Sequence, residues 1–548
     1  MFRNRLSRLS SMLLCLLSFG RTLYGDTFKV LNTADSGPGS LRQAMLDADA
    51  HTGPDLIVFN IPATDPHYDA TIGVWSIRPV EQLPVLYHPA TIIDGNSQAL
   101  FIGRDTNPFG PEIEIDGSLS PYRTSGIRIQ TDGVEVLSLT INRFKEGSGI
   151  SFDKSNGGRV AGCYVGVDPT GMKAASNGYG ISLYKSSHIN LQPDHGIPNI
   201  VSGNPVAGIT ITDSSYHNEV SGNIVGLNRT ASDTIGNSYY GGYGGVRIST
   251  RSDSNTIVNN LIGGNKRVGV YLFSASDNLI ADNYIGTDRK WMRKFPNVSG
   301  GISIKSDAAD LPLTRSTGNR IVNNYIGNHS YYGIAIENQA SYYNTISANI
   351  ISNNGNLGIL LSDGANRAVE APIITSISTD RISGNSRPRC RIEIFNDKAR
   401  EGRLYLGSTQ TDINGVFSLA TTGFPPLPYV TATATDPDGN TSWFSQPLAT
   451  GVQTESHESL GMISQLEQNY PNPFNAGATI GFTLAKRGRT RISLFDIQGR
   501  CIGMILDEEL PPGERSFHID ASELPSGVYF YRLEQAGLVL SRKFMVLK

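Results

Sequence analysis

The sequence predicts an all-β chain in which a right-handed parallel β-helix of about 11 coils is followed by two small β-sandwich domains. Three observations carry this. A phrase of glycine, apolar, any residue, apolar recurs through the middle of the chain, from Gly149-Ile150-Ser151-Phe152 and Gly180-Ile181-Ser182-Leu183 to Gly333-Ile334-Ala335-Ile336 and Gly358-Ile359-Leu360-Leu361. A second phrase, Asn-x-Ile/Val-x-x-Asn-x-Ile/Val, alternates with it at Asn218 to Val225, Asn255 to Ile262, Asn278 to Ile285, Asn319 to Ile326 and Asn344 to Ile351. Finally, 59 glycines and only 17% charged residues describe a turn-rich chain of short strands.

Each phrase reads as a strand whose alternate side chains face opposite ways, so Ile181 and Leu183 point inward and Ser182 outward. Such strands bury their apolar face only by stacking coil on coil. The interval from Gly245 to Gly269 suits one coil; the longer ones from Gly208 to Gly245 and from Gly269 to Gly301 require loops inserted into a constant coil. The asparagines are expected at corners, in the left-handed region that Asn tolerates, with their amides hydrogen-bonded from coil to coil about 4.8 Å apart.

At the N-terminus, Arg3, Arg5 and Arg8 precede the apolar run Met12 to Phe19, the pattern of a secretory signal over residues 1–25. Cys15 follows Leu13-Leu14 rather than a small residue, which argues against a lipoprotein anchor. No later stretch is apolar enough to cross a membrane as a helix. Residues 26–369 are assigned to the β-helix with an N-terminal cap. In that cap Phe28 to Leu31 forms a strand, and Ser40-Leu41-Arg42-Gln43 is a capping box opening a helix whose Leu41, Ala44, Met45 and Ala48 share one face. The string from Leu31 to Ala44, with its core Ser36-Gly37-Pro38-Gly39-Ser40-Leu41-Arg42-Gln43, resembles the opening of bacterial surface β-helix proteins. That resemblance implies fold and exposure.

Glu370-Ala371-Pro372 ends the repeat, and residues 370–449 form the first sandwich, with strands near Ile392, Arg403, Val416 and Val430. Val430 to Ser442 resembles the last strands of bacterial immunoglobulin-like modules, which implies a spacer. Asp436, Asp438 and Asn440 alternate as ligands do in a calcium loop, and also as in an Asx-rich turn; calcium is the one metal the sequence suggests. Residues 450–465 are polar and lack alternation, as a linker does. From Gln468-Asn469-Tyr470-Pro471-Asn472-Pro473-Phe474-Asn475, through Leu510-Pro511-Pro512-Gly513 and Leu524-Pro525-Ser526-Gly527, to Lys548, residues 466–548 resemble the C-terminal sorting domain of type IX secretion. The resemblance implies delivery to the outside or outer surface of a Gram-negative bacterium, and the type IX machinery as a partner.

A formal charge of -3 offers no electrostatic reason to seek nucleic acid. Past the signal, Cys163, Cys390 and Cys501 fall in three different domains, so neither a disulfide framework nor a thiolate zinc site can be built from them. The carboxylates that recur in the repeat are Asp168 and Asp288, with Asn228 at the equivalent middle position, and the pair Asp253 and Asp277 on adjacent coils. They are candidates for acid–base work or for holding a cation; Asn228 favours turn formation. Polygalacturonase-like signatures are absent: there is no Asp-Asp pair, and only Asp194-His195-Gly196 approaches the Gly-His-Gly motif. Tyr239, Tyr240, Tyr243, Trp291, Tyr331 and Tyr332 lie in or beside the inserted loops, where exposed rings stack on sugars. The expectation is a surface β-helix protein for adhesion or glycan binding, with a secreted polysaccharide lyase or glycoside hydrolase as the alternative.

Overall fold

The computed structural model describes residues 25–240, 243–307, 314–378, 380–421, 427–449, 465–466, 469, 477–497, 500–520, 524–535 and 538–546. The signal, nearly all of the linker and most of the motif opened by Gln468 lie outside them. The chain divides into two units, one ending at Gly451 and the other beginning at Val452.

In the first unit the chain winds through three parallel sheets, here A, B and C, of 11, 11 and 9 strands. A typical coil passes from Thr256–Val258 in sheet A to Leu261–Ile262 in sheet B and Val268–Phe273 in sheet C. Inward residues stack in columns. Sheet C aligns Ile150, Ile181, Ile209, Val246, Val270, Ile302 and Ile334, all fully buried. Sheet A aligns Val136, Val160, Leu191, Val220, Ile257, Ile280 and Ile321, and sheet B adds Ile141, Val165, Val201, Val225, Ile262, Ile285 and Ile326. Burying each such side chain is worth about 1.5–3 kcal/mol, and these columns form one dry interior.

Two expectations about the repeat change. The asparagine phrase is not one strand: Asn255 to Ile262 covers a sheet A strand, a corner and a sheet B strand. Nor does the ladder asparagine itself take the left-handed conformation. The residue before it does: His217, Ser254, Asp277, Gly318 and Tyr343 precede Asn218, Asn255, Asn278, Asn319 and Asn344, all with φ between 54 and 69°. That kink turns the corner and frees the asparagine side chain to point inward along the rod.

The predicted amide ladders are present at all three corners. One runs through Asn218, Asn255, Asn278, Asn319 and Asn344, another through Asn199, Asn223, Asn260, Asn283, Asn324 and Asn349. The third joins Asn177, Asn204, Asn237, Asn265 and Asn297. Beyond the first rungs, Oδ1 accepts both the backbone N–H and the Nδ2–H of the preceding coil, as Asn283 does from Asn260 at 2.9 and 3.0 Å. These corners are buried, so every rung satisfies donors that water cannot reach.

Both ends of the rod are closed. The helix Leu41–Ala50 starts at Ser40, whose Oγ accepts from Gln43 N at 3.1 Å, and buries Leu41, Ala44, Met45 and Ala48 against the first strands. The reciprocal half of the capping box is missing, because Ser40 N donates to Gly37 O at 3.2 Å, and Gln43 Nε2 donates to Asp47. At the other end the sandwich, sheets Ile373–Ile377/Arg381–Asn385/Val416–Ala420 and Leu404–Gln410/Arg391–Asn396/Tyr429–Thr435/Leu448–Ala449, is not a free spacer but the C-terminal cap. Its groups receive the donors that a further coil would have received. Glu393 accepts from Ser347 Oγ and Ala348 N, Glu401 from Asn353 N and Asn354 N, Asn440 Oδ1 from Tyr343 N, and Thr441 Oγ1 from Ile346 N. Gly402 pairs with Ile351, and Phe395 and Phe444 join the rod's apolar interior. An open solenoid end is an aggregation hazard, and this contact removes it.

The second unit is a small antiparallel sandwich of Gln465–Leu466/Gly477–Leu484/Gly513–Asp520 and Cys501–Leu510/Gly488–Phe495/Gly527–Gln535/Leu538–Val546. It closes over Ile480, Phe482, Ile492, Tyr531, Leu533 and Phe544. Asn469 of the opening motif donates its backbone N–H to the buried Tyr531 hydroxyl at 2.8 Å.

Candidate functional site

Most of the long insertions in the regular coils leave the corner between sheets B and C. Three of them, residues 166–177, 226–237 and 286–297, are one hairpin built three times at a constant sequence interval, on alternate coils. Gly166, Gly226 and Gly286 open them at φ of 87, 88 and 81°. Ala175, Ile235 and Phe295 return to them (N to O 2.9, 2.8 and 3.0 Å) and bury themselves on the outside of sheet B. Asp168, Asn228 and Asp288 hold the turns. Asp168 Oδ1 accepts from Met172 N and Lys173 N, Asn228 Oδ1 from Ser232 N, and Asp288 Oδ1 from Met292 N and Arg293 N. An amide serves where the other two copies use carboxylates, so turn formation accounts for all three.

Asp253 and Asp277 do lie on adjacent coils. Burial first, and the Asp277 charge as a lesser cause, raise the Asp253 carboxyl above the usual range, although Ser276 N donates to it at 2.7 Å. The Asp436 carboxylate accepts from Asn440 N and Nδ2, the Asn440 oxygen accepts from the rod, and Asp438 is exposed beside them. Among the described residues no group of three or more His, Cys, Asp or Glu side chains could hold a metal ion.

The predicted rings separate into two places. Trp291 is half-buried, edge-on to Tyr325 at 5.4 Å, and Tyr325 stacks on Tyr284 at 4.8 Å: these rings cover the outside of sheet B. The others border sheet C. Tyr239 and Tyr240 are 54% and 73% exposed, Tyr239 lies 5.3 Å from the Lys266 ammonium, and Tyr331 is also exposed. Tyr243 and Tyr332 lie half-buried against the sheet itself.

Between them runs an outward column of sheet C that sequence reasoning missed: Ser151, Ser182, Thr210, Arg247, Tyr271, Ser303 and Ala335. Arg247 is the sole charge from Ser151 to Ala335; Arg128, one coil before Ser151 in the same column, is paired with Asp153 at 3.6 Å. The Arg247 guanidinium stacks on Tyr243 at 3.8 Å and has no hydrogen-bond or ion-pair partner among the described residues, with Nε buried and unsatisfied. Tyr179 and Tyr271 flank it, their hydroxyl pKa values raised chiefly by burial and lowered by the Arg247 charge. Lys305, by contrast, is paired with Glu337 at 2.9 Å. The result is a shallow face of rings around one unpaired cation. Rings stack on the C–H faces of sugars, and a free guanidinium binds a carboxylate or paired hydroxyls. The missed signal was a charged residue at the third position of a phrase whose other copies are mostly small or apolar there.

Residues 468–547 match the family described as secretion system C-terminal sorting domain, and residues 112–294 match the one described as periplasmic copper-binding protein (NosD). No curated protein sequence matches the chain. Among solved structures, an Azotobacter vinelandii mannuronan C-5 epimerase A-module is similar at 14% identity over 62% of this chain and 88% of that one, TM-score 0.37. The Dettilon tailspike protein is similar at 11% over 74% and 87%, TM-score 0.36, and the periplasmic alginate epimerase AlgG at 13% over 57% and 76%, TM-score 0.28. At these values the likenesses carry no argument about chemistry. The chain is a parallel β-helix protein with a type IX sorting domain, which marks it for export, and no described helix is long and apolar enough to cross a membrane.

Proposed function

We propose that this exported protein binds glycan on the outer face of sheet C, at or beyond the surface of a Gram-negative bacterium, and serves adhesion. The type IX machinery is its partner through residues 466–548. One observation carries the reading: Arg247, unpaired and stacked on Tyr243 between Tyr179 and Tyr271. The stack on Tyr243 holds the guanidinium in place without a carboxylate or carbonyl among the described residues, which leaves its terminal N–H groups for a ligand. The exposed Tyr239 and Tyr240 extend the face along the corner. Retention of the full chain on a panel of neutral and acidic polysaccharides, with and without a chelator, tests the idea. Arg247→Ala should weaken retention about tenfold or more, and so should joint replacement of Tyr239, Tyr240 and Tyr243 by Ala. Unchanged retention in both variants would refute the site. New reducing or unsaturated ends in the same incubations would favour the alternative of a polysaccharide lyase or glycoside hydrolase.

A further inference from the structure

The three hairpins share a scaffold and differ in charge. The first and second carry one cation each, Lys173 and Arg229, with Asp233 opposing the latter; the third carries Arg289, Lys290, Arg293 and Lys294, all exposed, around the turn-holding Asp288. Lys266 and Arg267 add two exposed cations at the corner of the coil below. None of Lys266, Arg267, Arg289, Arg293 and Lys294 has an ion-pair partner among the described residues. In a chain of net charge -3 this is a local excess placed on one edge.

Two of these cations are tied to neighbouring coils. Arg289 donates to Asn259 Oδ1 and O at 2.7 and 2.9 Å, and Arg293 reaches Ala231 O of the second hairpin at 3.4 Å. The second hairpin in turn rests on the first through Arg229 N to Gly171 O at 3.0 Å. At the left-handed turn position, where the first two copies use Gly171 and Ala231, the third uses Trp291 at φ 60°. For a bulky residue that conformation costs roughly 1–2 kcal/mol. Here Trp291 packs edge-on to Tyr325, and Arg289 lies over the Tyr284 ring at 5.5 Å.

We propose that the 286–297 hairpin, with Lys266 and Arg267, is an anion-binding edge that takes the carboxylates or sulfates of an extracellular acidic polysaccharide. The inference rests on the glycan reading above and supplies its substrate class. Cations clustered on a solenoid edge suit a polymer that carries many negative charges, because its charges meet several of them at once. Export favours a polysaccharide over nucleic acid.

The test compares the full chain with Arg293→Glu/Lys294→Glu on polygalacturonate, heparin, neutral dextran and single-stranded DNA across a salt series. Polygalacturonate separates carboxylate recognition from the sulfate recognition that heparin reports. The expected result is retention of at least one of these two polyanions that falls steeply with salt and at least tenfold in the double variant, with any dextran retention unchanged. Equal retention of the wild type and the variant on both polyanions overturns the inference while leaving glycan binding at Arg247 intact. Tighter binding to DNA than to either polyanion also overturns it. Wild-type chain retained on no glycan overturns the parent reading as well. If the double variant melts early, Arg267→Gln/Lys294→Gln replaces it under the same criteria.

Discussion

His329 occupies a rung of the third ladder, where every earlier coil has asparagine. Its Nδ1 accepts Asn297 N–H at 3.1 Å, but it lacks the second bond, from Asn297 Nδ2, that an amide oxygen would receive. Nε2 is buried without a partner, and burial drives the imidazole pKa from 6.5 down to about 4. Replacing it, His329→Asn, restores a rung worth about 1 kcal/mol and removes a stranded polar atom, against the packing lost with the ring. At neutral pH those terms largely offset. The pH dependence does not. An unfolded chain protonates this histidine near 6.5 while the folded one resists until about 4, so the wild type loses stability as pH falls through that window. The loss is about 3 kcal/mol.

Asp94 works in the opposite sense. Burial, opposed by Asn96 and assisted by the charges of Asp194 and Glu135, raises its carboxyl from 3.8 to about 6. The folded state therefore takes up a proton before the unfolded one does, which stabilises it as pH falls from 6 toward 4, again by about 3 kcal/mol. In the wild type the two trends mask each other. His329→Asn should unmask Asp94, so that its melting temperature relative to wild type rises between pH 7 and pH 4.5 by about 3 °C, at ~1 °C per kcal/mol for a unit of this size. Adding Asp94→Asn should flatten the remaining slope. A difference between His329→Asn and wild type that is the same at pH 7 and 4.5 would refute the claim that a neutral imidazole is buried in the ladder.

Two further outcomes follow from burial and capping. Glu401→Ala removes an acceptor of three hydrogen bonds, from Asn353 N at 2.7 Å and from Asn354 N and Nδ2, each at 2.9 Å. It should cost about 2–4 kcal/mol and open residues 350–360 to protease, with Glu401→Gln in between; wild-type melting and proteolysis would refute the cap. With a maleimide at pH 8, exposed Cys501 should label in the native chain, while Cys163, its thiol pushed up to about 12 by burial, and buried Cys390 label only after denaturation. Labelling of Cys163 at the Cys501 rate would show that the rod interior is open.

What the sequence revealed depended on period. Inward columns and ladders repeat coil by coil, so Ile181, Asn260 and their equivalents announced themselves, and so did the buried face of the Leu41–Ala50 helix. Contacts made once do not repeat. Glu393 and Glu401 read as ordinary charges, because the donors they accept lie 45 to 48 residues away on the last coil. Tyr243 was recognisable as a ring in a loop, but its partner Arg247 sat inside Gly245-Val246-Arg247-Ile248, where the pattern drew attention to the core positions on either side. For Trp291 the sequence left stacking on sugars and packing against the coil equally open, and the apolar outside of sheet B draws the ring down.

The repeated hairpin separates scaffold from specificity within this one chain. Across its three copies the opening glycine, the Asp or Asn at the third position, the apolar anchor and the closing ladder Asn177, Asn237 or Asn297 are constant in kind. Each has a structural role, respectively the left-handed start, the turn, the seat on sheet B and the rung. Nothing about folding obliges the fourth, fifth, eighth and ninth positions to be Arg289, Lys290, Arg293 and Lys294, because Pro169, Thr170, Lys173 and Ala174 complete the same hairpin in the first copy. Four like charges on one short turn repel each other, and the fold gains no ion pair from Arg289, Arg293 or Lys294 among the described residues. Their cost to folding, and the strained tryptophan beside them, make sense when an anionic ligand offsets the repulsion, since Arg289, Arg293 and Lys294 have no ion pair among the described residues.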